Sequence, residues 1–213
     1  MDRIKELVNY IEGFEYLADV GCDHGYLIVE AFKKYNLKQA IAIDNKKGPL
    51  SQAIENIKTY EFNSEVIYSL SSGIKEINEL TDVVVIAGMG GMLISDILND
   101  DLKNVKRLIL QPNRDIKEVR TKISNIGFKI VSEKIVLEND KYYEIIVCDR
   151  TNEVIGYSDD ELEFGPILLN ERSPLFIEKW EKEIIKLEKI KKNTTVIKQL
   201  EQKIERIKKV ICL

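Results

Sequence analysis

Hydrophobic residues arrive in short, nearly unbroken runs over the first 150 positions. Tyr16–Val20, Gln39–Asp44, Glu65–Ser69, Asp82–Ala87 and Arg107–Gln111 each read as a strand. Between them, residues 26–35, 49–60 and about 114–126 place apolar side chains at helical spacing. Strands that are apolar throughout and separated by helices predict a parallel sheet covered on both faces. The fold class is therefore α/β, a doubly wound sheet of five parallel strands. After these the pattern changes. Phe128–Leu137 and Tyr142–Asp149 read as two further strands joined by the turn-rich tetrad Glu138-Asn139-Asp140-Lys141. A link this short predicts an antiparallel hairpin, because a parallel return needs a longer crossover.

The end of the chain has a different rhythm. Ile177, Trp180, Ile184, Leu187 and Ile190 recur at spacings of three and four, as do Ile197, Leu200, Ile204, Ile207 and Ile211. Lys191-Lys192-Asn193-Thr194-Thr195 lies between the two series, where Asn or Thr can cap a second helix. This predicts an antiparallel coiled-coil hairpin with Trp180 in its seam, one continuous helix being the alternative. Residues 1–155 are expected to form the Rossmann-like domain and 156–213 the helical one.

Charge sharpens this division. The chain of 213 residues carries a net −4, yet residues 170–213 hold 12 basic and 7 acidic side chains, leaving the remainder at −9. A basic tail on an acidic body implies that a polyanionic partner meets the tail, unless these charges are simply solvated helix faces. His24 is the one histidine, and Cys22, Cys148 and Cys212 form no C-x-x-C pair. Neither a zinc cluster nor a disulfide framework is expected, nor a hydrolase that needs two histidines. No apolar run approaches the roughly 18 residues of a membrane span, and Met1-Asp2-Arg3-Ile4-Lys5-Glu6 is not a signal peptide. A cytoplasmic protein is expected, with no metal, and a monomer rather than a dimer.

Candidate chemistry gathers where strands end. Asp19-Val20-Gly21-Cys22-Asp23-His24-Gly25-Tyr26 follows the first strand, the place where open α/β sheets bind ligands. A dinucleotide fingerprint would read G-x-G-x-x-G and seat a pyrophosphate on a helix N-terminus. Here Asp23 stands inside the loop, and carboxylates beside a pyrophosphate would repel it. A sulfonium cation with an amino group suits the loop better, which favours S-adenosyl-L-methionine over NAD. Asp44 ends the second strand, where an acidic residue grips ribose hydroxyls or caps a turn. Ala87-Gly88-Met89-Gly90-Gly91-Met92 follows the fourth strand and reads as a backbone-exposed floor for a flat base or cofactor edge. Gln111-Pro112-Asn113 offers amide groups at the same mouth. The Asn/Asp-Pro-Pro-aromatic motif of exocyclic-amine methyltransferases is absent, which points to a ring nitrogen as acceptor.

Five helix-separated strands followed by a hairpin resemble the topology of class I methyltransferases. Taken in order, Ala18 to Leu27, Ile86 to Gly91, Leu108 to Asn113 and Phe164-Gly165-Pro166 resemble the TrmK family, bacterial enzymes that methylate N1 of the adenine at tRNA position 22. The resemblance runs over nearly the whole chain. It implies that Asp19, Gly21, Cys22, Asp23 and His24 line the methionine end of the cofactor, with Asp44 and Asn45 at its ribose. Ala87, Gly88 and Met89 would flank the methyl group. Arg3, Asp23, Tyr26, Gln111 and Asn113 would lie near the incoming adenine. The chain departs from the family at Leu70-Ser71-Ser72-Gly73, where a Gly-Asp-Gly turn is usual. Ser72 then replaces the carboxylate that holds the cofactor's adenine, with Gly73 beside it, so weaker cofactor affinity is expected. Gly25 replaces an alanine.

A neutral ring nitrogen is already nucleophilic, so alignment is expected to matter more than base catalysis. Asp23 is the first candidate to stabilise the positive charge that develops on adenine, with a Gln111 or Asn113 carbonyl second. His24 is either a catalytic group or part of the loop architecture. Tyr26 either stacks on the base or opens its helix, and Arg3 either holds the substrate or sits on the surface. Position 22 lies in the D-arm within the folded tRNA body, so the base must be extruded. Lys179, Lys182, Lys186, Lys189, Lys191 and Lys192 are expected to track phosphates. The competing readings are a methyltransferase for another acceptor, a non-catalytic RNA-binding module and, remotely, a nicotinamide oxidoreductase.

Overall fold

The computed structural model describes residues 2–99, 102–191 and 197–211. A short helix, α1 (Asp2–Asn9), precedes β1 (Tyr16–Val20), α2 (Tyr26–Lys34), β2 (Gln39–Asp44) and α3 (Lys47–Ile57). β3 (Val66–Leu70), β4 (Val83–Met89), α4 (Gly91–Ile97), β5 (Arg107–Pro112) and α5 (Ile116–Asn125) follow. Then come β6 (Phe128–Glu138) and β7 (Lys141–Arg150), and finally α6 (Asp159–Phe164), α7 (Pro166–Glu171), α8 (Pro174–Lys191) and α9 (Ile197–Ile211).

The seven strands form one sheet in the order β3-β2-β1-β4-β5-β7-β6. The first five are parallel, and the β6–β7 hairpin is antiparallel. It is the second arm of the hairpin, β7, that pairs with β5, so β6 is left on the edge. Side chains alternate across the sheet as strand geometry requires. Leu17, Val83, Val85 and Ile109 pack beneath α1, α2 and α3, while Ala18, Val84, Ile86 and Leu108 pack beneath α4 and α5. Both faces are covered, which is why these strands read as continuous apolar runs.

The tail forms a third core. Phe164, Leu168, Phe176, Trp180 and Leu187 pack with Ile204, Ile207 and Val210 and with Ile135 of β6. α8 and α9 pack against each other through Trp180, Leu187, Ile204 and Ile207, but this apolar contact is shorter than the spacing suggests. Ile190 and Ile197, nearest the link, are exposed, and Val210 rather than Ile211 is buried. The predicted capping residues Asn193 to Thr195 lie outside the described residues. Ser158 starts α6 with a capping box: its hydroxyl accepts the Glu161 N–H while Glu161 accepts the Ser158 N–H (2.7 Å).

A buried ionic cluster joins this tail to the sheet. Arg120 of α5 is fully buried; its Nε donates to Glu133 of β6 at 2.8 Å and its Nη2 to Glu144 of β7. Its Nη1 donates to the carbonyls of Leu162 and Glu163 at 3.2 Å each. Lys179 of α8 closes the group on Glu144. Glu133 also accepts the Ile167 N–H at 2.9 Å. Gly165 lies directly against the cluster. A Cβ there would sit 2.6 Å from Glu133 Oε2 and 2.7 Å from Arg120 Nη2, and its φ of +93° already disfavours a side chain. This contact explains the Phe164-Gly165-Pro166 segment. Arg120→Met would leave two buried carboxylates facing each other without their shared cation, and we expect it to cost about 3–5 kcal/mol in urea unfolding.

Candidate active site

The strand order reverses direction between β1 and β4, the switch point at which an open α/β sheet leaves a crevice. A cleft of about 1780 Å3 opens there. Its walls come from the segments that follow β1, β2, β3, β4 and β5, and it extends past Tyr143 to the side of α8.

The loop after β1 is built by hydrogen bonding to β2. The N–H groups of Gly21 and Cys22 both donate to the Ile43 carbonyl, at 2.8 and 3.1 Å. Gly21 has a φ of +78°, and a Cβ on it would fall 2.2 Å from Met89 Cε, so Met89 lies over this glycine. Asp23 adopts a left-handed φ of 43°, uncommon for a residue with a side chain, and its carboxylate is 67% exposed on the cleft. His24 Nε2 lies 3.9 Å from Asp23 Oδ1, and the His24 ring stacks on Tyr26 with centroids 5.3 Å apart. The His24 carbonyl accepts the Asn56 side-chain amide at 2.9 Å, which ties the loop to α3.

Asp19 and Asp44 form the floor and are both buried. Asp44 Oδ1 accepts the Lys46 N–H at 2.9 Å. Among the described residues no lysine or arginine pairs with either carboxylate. Burial pushes the Asp19 carboxyl up to about 7, and the neighbouring charges of Asp44 and Asp23 push it the same way. Burial likewise drives the Cys22 thiol far above its usual range, so it is protonated and not a nucleophile. This donor set fits S-adenosylmethionine: uncompensated carboxylates suit a molecule carrying a sulfonium, an ammonium and a ribose diol, and would repel a pyrophosphate. Gly88 adds an open stretch of backbone, with φ +77° and no atom within 4 Å of where a Cβ would stand.

The three glycines around the end of β4 do not form a common floor. Gly88 is open, whereas Gly90 runs alongside the Arg114 side chain. Gly91 packs so tightly on the next loop that a Cβ would lie 2.2 Å from the Asp115 carbonyl oxygen.

Gln111 takes a place different from the expected one. It is fully buried and does not line the cleft. Arg3 Nη1 donates to its Oε1 at 2.7 Å, its Nε2 donates to Asn113 Oδ1 at 3.0 Å, and Asn113 Nδ2 donates to the Gly88 carbonyl at 2.6 Å. A guanidinium can only donate, so Arg3 fixes the direction of every amide in this chain. Each side-chain oxygen accepts one hydrogen bond within this chain; Gln111 is buried away from the cleft, whereas Asn113 is exposed and lines it. Arg3 itself stacks on Tyr143, 4.5 Å from the ring centroid.

The other expected cofactor residues (Asn45, Ser72, Gly73, Ala87 and Met89) all face the cleft. The tail lysines separate into groups. Lys182 and Lys186 line the cleft, although Lys182 pairs with Glu178 at 2.8 Å. Lys179 also borders it but is held in the buried cluster by Glu144, so it is not a phosphate-tracking residue. Lys189 and Lys191 do not line it, Lys191 being shared between Glu188 and Glu201 at 3.4 Å each. Lys192 lies outside the described residues. Sequence reasoning missed Leu93 and Arg114, which line the mouth; the available signal was their position immediately after the motifs ending β4 and β5.

The strand order and the acidic crevice together define a class I, S-adenosylmethionine-dependent methyltransferase. The family model TrmK, tRNA (adenine(22)-N(1))-methyltransferase, matches residues 17–213, and the chain belongs to this family. It is 30% identical to the tRNA (adenine(22)-N(1))-methyltransferase of Bacillus subtilis, over 98% of this chain and 95% of that one. A Streptococcus pneumoniae crystal structure in complex with S-adenosyl-L-methionine matches at TM-score 0.92 and 36% identity, covering 99% of both chains. M. capricolum TrmK, in complex with S-adenosyl-homocysteine, matches at TM-score 0.88 and 27% identity, over 100% of this chain and 97% of that one.

Because the folded-state carboxyl of Asp19 is raised, its contribution to stability is complete below about pH 4 and is lost as pH rises through about 7. Asp19→Asn removes this dependence. We expect it to raise the melting temperature of the ligand-free protein at pH 8 by about 4–8 °C and to change it little at pH 4.

Proposed function

We propose that this protein transfers a methyl group from S-adenosylmethionine to N1 of adenine 22 in tRNA, within the D-arm. The observation that supports this most is the group of carboxylates, Asp19, Asp23 and Asp44, facing one cleft without a lysine or arginine partner among the described residues. When bound, S-adenosylmethionine supplies an electrophilic methyl group on a sulfonium centre. Asp44 would hold the ribose, Asp19 the ammonium, and Ser72 with Gly73 the adenine of the cofactor. Ala87, Gly88 and Met89 would flank the methyl group.

The remaining work falls to the substrate side. N1 of adenine needs no base, so His24 serves the loop and supports the face of Tyr26, on which the extruded adenine stacks. Asp23 places an exposed carboxylate at the mouth, where it stabilises positive charge growing on the ring. Arg3 acts through Gln111 and Asn113 on the Gly88 carbonyl, holding the end of β4 in place. Residues 1–155 then carry the chemistry. Residues 156–213 form the arm that meets tRNA, with Lys182, Lys186 and Lys189 as its phosphate contacts. A cytoplasmic monomer fits this work, and no described helix is long and apolar enough to cross a membrane.

The direct test is incubation with labelled S-adenosylmethionine and unmodified tRNA transcripts bearing adenine or guanine at position 22. We expect label only in the adenine transcript, recovered as 1-methyladenosine. Transfer to both, or to neither despite cofactor binding, would mean a different acceptor. Asp23→Ala should lower kcat about 100-fold or more while changing cofactor affinity less than threefold; equal losses would make Asp23 a cofactor ligand.

A further inference from the structure

Two large apolar side chains stand in solvent at the reactive end of β4. Met92 is 56% exposed and Leu93 50% exposed, both on the first turn of α4, whose later residues Ile94 and Ile97 are buried. The backbone enforces this position. The Gly91 N–H donates to the Arg114 carbonyl at 2.9 Å, and Gly91 presses on the Asp115 carbonyl, so the turn is clamped to the loop after β5. Arg114 belongs to the same unit. Its side chain is 80% exposed beside Gly90, its carboxylate neighbour is Asp115 at 3.5 Å, and it lines the cleft together with Leu93. Tyr26 faces the same cleft from the start of α2, on the opposite face of the sheet.

We infer that Met92 and Leu93 form a wedge that fills the base stack of the tRNA as the target adenine leaves it, with Arg114 on an adjoining phosphate. This rests on the functional reading above and adds a role that the methyl-transfer chemistry does not require. A base drawn into a pocket leaves a gap between its former neighbours, and apolar side chains such as Met and Leu are the groups that proteins insert into unstacked steps. Charge complementarity favours the nucleic acid as occupant: the exposed guanidinium beside the apolar pair matches a phosphate beside a base gap. The rigid clamp of Gly91 suits a group that must displace bases rather than yield to them.

The test compares two tRNA transcripts, one with the target adenine paired and one with it facing a mismatched base, which lowers the work of extrusion. The double variant Met92→Ser with Leu93→Ser should lose about 30-fold in kcat/KM on the paired transcript and less than threefold on the mismatched one. The apolar swap Met92→Leu with Leu93→Met should retain activity on both. The melting temperature should match the parent protein, since both side chains lie outside the cores, and Met92→Ser alone, whose side chain does not line the cleft, should leave cofactor affinity by calorimetry unchanged. Equal losses on the two transcripts would overturn the wedge, as would no loss on either or a shift in sedimentation showing that the patch joins two copies of the chain. If the parent protein methylates neither transcript, the functional reading fails and the wedge with it.

Discussion

Arg120 brings a permanent positive charge into a place that water does not reach, and a charge so placed must be matched on every side. Its partners come from β6, β7, the end of α6 and, through Glu144, from α8. No apolar contact imposes that degree of mutual fit. Aliphatic surfaces can slide over each other at small expense, whereas two carboxylates and a guanidinium have few satisfactory arrangements. The helical tail is thereby held at one angle to the sheet. The position of every lysine on α8 relative to the crevice follows from that angle.

The opposite electrostatic choice is made about the crevice. Among the described residues Asp19 and Asp44 are buried without the matching cations that Arg120 and Lys179 supply elsewhere, and burial, with the charges of Asp44 and Asp23, raises the carboxyl of Asp19. One protein therefore contains both a neutralised and an unneutralised cluster of acids. The first fastens structure, and the second is suited to a positively charged guest. The difference between them identifies the binding site as well as any motif does. Arg3 connects the two themes: from α1 it sets a line of donors and acceptors that ends at the kinked backbone of Gly88, where β4 and β5 lose their regular register.

The strands and the surrounding helices were legible because each is a local statement. A run such as Val83–Ile86 is apolar because both its faces are covered, and that requirement is visible without knowing what covers it. The acidic loop after β1 was legible for a similar reason: its residues are adjacent in the chain. What could not be read depends on distant partners. Glu133 and Glu144 sit in ordinary alternating strands, and nothing nearby reveals that Arg120 will meet them. Gln111 reads as a substrate group because it ends a strand beside Asn113; its role is decided by Arg3, at the other end of the domain's sequence. The glycines around the end of β4 looked equivalent, yet the neighbours that distinguish them come from the loop after β5. The described tail lysines, Lys179 to Lys191, lie on α8, but which of them are already paired depends on glutamates of β7 and of the helices.

The order of strands also has a history during synthesis. β7 lies between β5 and β6 although it is made after both. Until residue 150 has left the ribosome, the Arg107–Pro112 strand has one bare edge, and the strand already available to it, β6, is the wrong neighbour. An open parallel sheet with an unpaired edge invites pairing with other nascent chains. The pairing of β6 with β7 across the short Glu138–Lys141 turn is local in the chain, whereas that of β5 with β7 spans the whole of α5 and β6. Translation speed just beyond this turn becomes a property that this fold exposes to selection.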